Sequence, residues 1–203
     1  MQKKLQGLRT RQNIIDKSLQ LFSVKGFFNT SVNDILKETK LTKGGLYAHF
    51  KSKEDIWYAA YERAVDIWKG IIFQDIRKIA NPFERLKMLI DRHLGVYIGN
   101  HTFKGGGFFL NMLIEFSGQS QTKTAHILDG FERYSSLIES WIEEAKMAGI
   151  VKETINSGEA GSFIVSSFYG TTALYTASKN PSILQKTINQ LHFFIDSLRT
   201  DSL

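Results

Sequence analysis

Apolar positions recur every three or four residues along almost the whole chain, the spacing of one buried helical face. Leu8, Ile15, Leu19 and Phe22 make the first such face, and Gly26 after Lys25 is placed to close that helix. "TSVNDILKE" opens with Ser31 three residues before Asp34, a capping-box-like start, and sets Val32, Ile35 and Leu36 on one side. After a short joint around Lys40 and Leu41, Thr42 can cap a third helix, predicted to run through Phe50. Ser52 can cap a fourth, whose apolar spacing through Ile56, Ala60, Ala64, Trp68 and Ile71 predicts a helix reaching about Lys78. Both prolines follow asparagine, so Asn81-Pro82 and Asn180-Pro181 read as N-cap and first turn of two further helices. "KGGGFF" at 104–109 is a break between them. A helix then carries Ile127, Phe131, Tyr134, Ile138, Trp141 and Ala145 and is ended by Gly149. Another covers about 159–177, and the last aligns Leu184, Ile188, Leu191, Ile195 and Leu198. No period-two alternation is present, so the predicted fold class is all-α.

Composition narrows the function. The chain has 203 residues, 42% hydrophobic and 23% charged, which suits a globular protein with a sizeable core. It contains no cysteine, which excludes a disulfide framework and a thiolate metal site. The histidines at 49, 93, 101, 126 and 192 show no ligand spacing such as HExxH, so no metal is expected, and no cofactor. "KGGGFF" lacks a following Lys-Ser/Thr and a preceding strand, and no GxSxG motif occurs. Glu143 and Glu144 read as solvated charges. Catalysis has no positive signal, and the expectation is a protein that is not an enzyme. The basic N-terminus "MQKKLQGLRTRQ" lacks the apolar run of a secretory signal, and no stretch approaches the ~20 residues of a membrane span. A cytoplasmic protein without membrane partners is expected.

Charge placement is the first positive clue. Residues 1–53 hold 11 Lys/Arg against 3 Asp/Glu, whereas the remaining 150 hold 15 against 17. A basic head on a near-neutral body points to a polyanion site at one end. The short joint between the second and third helices describes a helix-turn-helix inside that head. "LTKGGLYAHFKSKED" then gives up helix stability at Gly44 and Gly45, about 1 kcal/mol each relative to alanine. The missing side chains would let backbone and a DNA groove about 12 Å wide approach closely.

At these residues the chain resembles a family. "TSVNDILKETKLTKGGLYAHFKSKEDIW" is similar to the DNA-binding signature of the tetracycline-repressor (TetR/AcrR) regulators, and residues 9–57 follow it closely, including the "GFFNTSV" joint. The resemblance implies residues 1–51 as a helix-turn-helix DNA-binding domain and 52–203 as a helical ligand-binding and dimerisation domain. It implies a homodimer on a palindromic double-stranded DNA operator, released by a small-molecule effector. Thr42, Lys43, Gly44 and Gly45 would face the groove, Tyr47, His49 and Lys53 would contact phosphates, and Ser31 would cap the supporting helix. The alternative is a helical ligand-binding protein whose basic head serves another polyanion.

For the body, Trp68, Tyr97, Phe108, Met112, Glu115, Phe116, Phe131, Tyr134, Phe168 and Tyr169 are the candidate ligand residues, with Phe109 beside them. They suggest a partly apolar or aromatic effector. Asn111 and Glu115 are polar in the apolar run "FFLNMLIEF"; burial would require partners, and a ligand is one possibility. Ser162, Ser166, Gly170 and Ala173 share one helical side, small enough for close approach, and the stripe on the final helix is the expected complement at a twofold interface.

Overall fold

The computed structural model describes residues 2–200, so Met1 and 201–203, the outer limits of the two expected domains, lie outside it. Among the described residues the regular secondary structure is helical, apart from an isolated antiparallel bridge between Val151 and Arg199. The head consists of α1 (Gln2–Lys25), α2 (Val32–Thr39) and α3 (Lys43–Tyr47), and α4 (Lys53–Ile72) leads out of it. The body follows as α5 (Pro82–Ile90), running directly into a π-helical segment Asp91–Ile98, then α6 (Phe108–Phe116), α7 (Gln121–Met147), α8 (Ser157–Ser178) and α9 (Pro181–Ser197).

The expected caps are formed. Ser31 and Asp34 make a reciprocal capping box, Thr42 accepts from the Gly45 N–H, and Ser52 accepts from that of Asp55. Asn81 and Asn180 cap α5 and α9 ahead of their prolines. Gly26 adopts φ +83°, the left-handed conformation a C′ glycine supplies.

Two helices are shorter than their patterns predict. α3 ends at Tyr47 rather than Phe50, where the chain tightens into a turn: the His49 N–H donates to the carbonyl only three residues back, that of Leu46 at 3.0 Å. That turn buries Phe50. α4 ends at Ile72 rather than Lys78: Asp75 sits at φ +58°, and Arg92 donates to the carbonyls of Ile72 and Gln74. With 20 residues, α4 is about 30 Å long.

Head and body share one continuous core. Phe22, Leu46 and Trp57 belong to the same cluster as Phe108, Phe116 and Phe168. Phe27 bridges them, its ring centroid 5.3 Å from that of Phe116 and 6.4 Å from that of Trp57. Within the body, Arg85 of α5 forms a bidentate pair with Glu144 of α7 at 2.8 and 2.6 Å, so Glu144 is not the free solvated charge its helical position suggested. The apolar stripe of α9 also departs from expectation. Leu184, Leu191, Ile195 and Leu198 are buried within this chain, so the stripe is consumed by the protein's own core and does not await a partner.

The glycines of "KGGGFF" have steric causes. The loop is wedged between the end of α1 and the flank of α8. A Cβ on Gly105 would overlap the Ser23 carbonyl, one on Gly106 would lie 2.6 Å from Thr176 Oγ1, and one on Gly107 would overlap the Thr172 methyl. The Gly105 N–H donates to Ser23 Oγ at 3.2 Å, and its carbonyl accepts from Asn111 at 2.8 Å. Asn111 therefore owes its partial burial to this loop.

Candidate nucleic-acid interface and ligand cavity

The helix-turn-helix face is built on a fully buried Ile35 and Leu46, which fix α2 and α3 against α1. Outward from them, Thr42, Lys43, Gly44 and Tyr47 are exposed along α3, with His49 half-buried behind. Gly44 has open space around it, and Gly45 faces only Thr42 and Leu41 at ordinary contact distances. Nothing inside the protein requires either residue to be glycine. Ser31 serves as the α2 cap, and Lys25 and Ser31 hold the Asp34 carboxyl well below the usual carboxylate range. Lys53 is partly committed: its ammonium donates to the carbonyls of Phe27 and Thr30 at 2.9 and 3.0 Å and lies 4.2 Å from the Phe27 ring centroid. Two of its three donors thus brace the joint after α1.

That joint is gripped from the body as well. Both oxygens of Glu115, on the last turn of α6, accept backbone N–H groups of the head, Phe27 at 2.9 Å and Phe28 at 2.8 Å. Gly26 belongs to the same arrangement, since a Cβ there would lie 2.7 Å from the carboxylate. Lys123 of α7 closes the group, 5.1 Å from the Phe27 ring and 5.6 Å from that of Phe116.

Between α4, α6, α7 and α8 lies a cavity of about 630 Å³. Of the candidate ligand residues, Trp68, Phe131, Tyr134 and Tyr169 line it, and so does Phe109. The other candidates lie elsewhere. Phe108, Met112, Phe116 and Phe168 are core residues with no share of the wall, Tyr97 is buried behind it, and Glu115 is taken up by the head. Sequence reasoning missed Tyr61, Glu62, Val65 and Lys69 on α4, and His126, Asp129 and Arg133 on α7. The signal was available for α4, because Tyr61, Val65 and Trp68 recur on one helical face.

The inner end of the cavity is phenolic. Tyr134 reaches His93 Nδ1 at 3.2 Å, and His93 is stacked on Phe168 with centroids 4.1 Å apart. Burial pushes the His93 pKa down to about 3 and raises Tyr134 and Tyr97 well above the usual phenol value, so all stay neutral. Burial also raises Tyr61, to about 12. At the mouth the charges balance. Arg133 pairs with Asp129 at 2.8 Å, and Glu62 lies 3.6 Å from His126, while Lys69 is exposed. Among the described residues no group of His, Asp and Glu could hold a metal ion, and no helix is long and apolar enough to cross a membrane.

Comparison with known proteins agrees with this architecture. Residues 14–60 match the family described as bacterial regulatory proteins, tetR family, and residues 82–191 match the tetracyclin repressor-like C-terminal domain. A TetR transcriptional regulator from Chloroflexus aurantiacus superposes with a TM-score of 0.90 over 98% of each chain at 21% identity. The structure of AibR in complex with isovaleryl coenzyme A and operator DNA superposes with a TM-score of 0.69, covering 90% of this chain and 98% of that one at 20% identity. An uncharacterized HTH-type transcriptional regulator from Lactococcus lactis is 36% identical over 89 residues, 41% of this chain and 45% of the relative, so the match spans under half of that relative's length. The helix-turn-helix head and the all-helical body, each matched by its own family model, are those of a bacterial regulatory protein. This chain belongs to the TetR family.

Proposed function

We propose that the protein is a dimeric one-component repressor, with residues 1–51 binding a palindromic operator and 52–203 binding a small molecule that releases it. The observation that carries this reading is that two helices each have one end at the cavity and the other bonded to the joint after α1 in the head. α4 runs from Lys53, bonded to the Phe27 and Thr30 carbonyls, to Trp68 in the cavity wall. α6 runs from Phe109 in the wall to Glu115, which holds the Phe27 and Phe28 amides. A ligand preferring one tilt of these helices changes the spacing of two recognition helices, and half-sites at fixed separation tolerate little change. Its leverage equals its differential affinity for the two states, typically about 1–3 kcal/mol. The neighbour AibR, solved with both an acyl-coenzyme A and operator DNA, is a precedent for two such sites on this fold.

The test is retention of an operator selected from random duplexes, with and without small molecules. A dimer neutralising about eight phosphates should give a log–log salt slope of about −7. A slope shallower than about −2, or retention indifferent to sequence, would remove the head from this role.

Gly44→Ala separates folding from recognition. Alanine at this open position in the first turn of α3 should stabilise the protein by about 0.4–1 kcal/mol, because nothing meets the new methyl. Operator affinity should nevertheless fall, since the methyl enters the space kept for DNA. Thermal melting and operator titration of one preparation check both, and unchanged affinity would release Gly44 from the interface.

The dimer face is proposed on the outer side of α8. Ser162, Ser166, Gly170 and Ala173 are all exposed there, next to exposed Phe163 and Leu174, and Phe193 of α9 is exposed as well. A Cβ on Gly170 meets nothing within this chain. Gly170→Trp should therefore leave the fold intact and yield monomers. Sedimentation as an unchanged dimer would place the interface elsewhere.

A further inference from the structure

One side of α1 changes character along its length. Positions 4, 8, 11, 15, 18 and 22 follow one another at spacings of four and three, so they share a helical side. Ile15, Ser18 and Phe22 are buried in the head, whereas Lys4, Leu8 and Arg11 are exposed. None of residues 4–13 is buried, and the first buried residue of α1 is Ile14. The helix therefore overhangs the head. Residues 2–13 hold four Lys/Arg and no Asp/Glu, the first acid being Asp16. The match to the family's N-terminal model begins only at residue 14, so the overhang lies outside it. Arg11 marks where the overhang leaves the head. Its guanidinium lies 4.8 Å from the ring centroid of Phe50, in the turn directly after α3. The side of α1 that faces the core further along thus passes beside the end of the recognition helix, and there it carries cations in place of apolar residues.

We propose that the overhang is a second DNA-binding element, in which Lys4 and Arg11 contact phosphates of the duplex flanking the half-site that α3 reads. The inference rests on the head being a DNA-binding unit. A positive surface without acids fits a polyanion, and a duplex held by α3 brings one phosphate per about 1.7 Å of axis close to the turn at Phe50. From Gln2 to Arg11 the helix spans about 14 Å, the length of about four base pairs. Phosphates carry no base identity, so the flank adds affinity without adding sequence. Arg9, on the opposite side of the helix, stays outside the contact.

The experiment uses the full chain and two duplexes carrying the selected operator, one trimmed to its half-sites and one with about eight further base pairs at each end. The parent protein should bind the longer duplex roughly tenfold more tightly at physiological salt. Changing the sequence of the added flanks should alter nothing. Lys4→Gln/Arg11→Gln should erase the flank preference and make the log–log salt slope on the longer duplex shallower by about 3.5, since two protomers each give up two phosphates. Lys4→Gln alone, at an exposed position that should leave Tm unchanged, should lose about half of both effects. Arg9→Gln removes the same charge from the other side and should retain the flank preference. Equal affinity for the two duplexes, or equal losses in Lys4→Gln and Arg9→Gln, would overturn the proposal and leave the operator reading intact. Retention of no duplex at all would defeat both. Vesicles containing phosphatidylserine test the other polyanionic surface that a basic helix with exposed Leu5 and Leu8 suits. Vesicle binding that Lys4→Gln/Arg11→Gln abolishes, with no dependence of DNA affinity on the flank, would assign the overhang to a membrane instead.

Discussion

Gly105→Ala should destabilise the protein by about 3 kcal/mol or more, the upper range for forcing atoms into a packed site. The added Cβ would overlap the Ser23 carbonyl oxygen and lie 2.6 Å from its carbon, and both are backbone atoms that no rotamer change can move aside. Relief requires the 104–107 loop to lift from α1. Lifting would break the Gly105 N–H bond to Ser23 Oγ and the Asn111 bond to the Gly105 carbonyl. The neighbouring glycines would be pulled from Thr172 and Thr176, so the loop's bridge between α1 and α8 would loosen together with the start of α6. Urea denaturation measures the loss. Gly149→Ala, at φ +70° but with nothing within 4 Å of the new atom, provides a comparison limited to local backbone strain. A Gly105 variant no less stable than that comparison would show that the wedge is not a close contact.

Glu115→Ala should cost about 2–4 kcal/mol and weaken operator binding. The carboxylate accepts two backbone amides, at 2.9 and 2.8 Å, and bonds to a charged acceptor contribute about 1.5–3 kcal/mol each. The Phe28 amide is exposed and can turn to water, which lowers the total, whereas the Phe27 amide is half-buried and loses its partner outright. Glu115→Gln keeps one acceptor oxygen and should lose about half as much. Operator affinity should follow, because the gripped joint sets α2 and α3 relative to α1, and Lys53 braces the same joint from α4. Denaturation and operator titration of both variants test this. Stability within about 0.5 kcal/mol of the parent, the range of ordinary surface substitutions, would mean that the bond is incidental.

Much of the local structure was legible before any coordinates. The caps at Ser31, Thr42, Ser52, Asn81 and Asn180 all form, since each depends on a side chain and an amide two or three residues away. Helix ends set by distant groups were not legible. α4 stops at Ile72, where Arg92, twenty positions further along, caps its last carbonyl, and no local pattern announces this. The same division runs through the cavity. Aromatic spacing picked out Trp68, Phe131, Tyr134 and Tyr169, yet it equally picked out Phe108, Phe116 and Phe168, which the fold buries completely. A stripe reports that a face is apolar, and only packing decides whether that face meets a neighbour or a void.

By itself the sequence determined the all-α class, the helix-turn-helix head with its basic charge, and membership of the TetR family, because periodicity, capping and the motif are properties of neighbouring residues. Tertiary structure alone decided what the isolated polar and small residues do. Glu115 became a clasp on the head rather than a ligand group, three glycines became a wedge between α1 and α8, and the α9 stripe turned inward. Each of these outcomes depends on contact between segments that are far apart in the chain. Glu115 lies 87 and 88 positions from the amides it holds, and no periodicity reaches across such a distance.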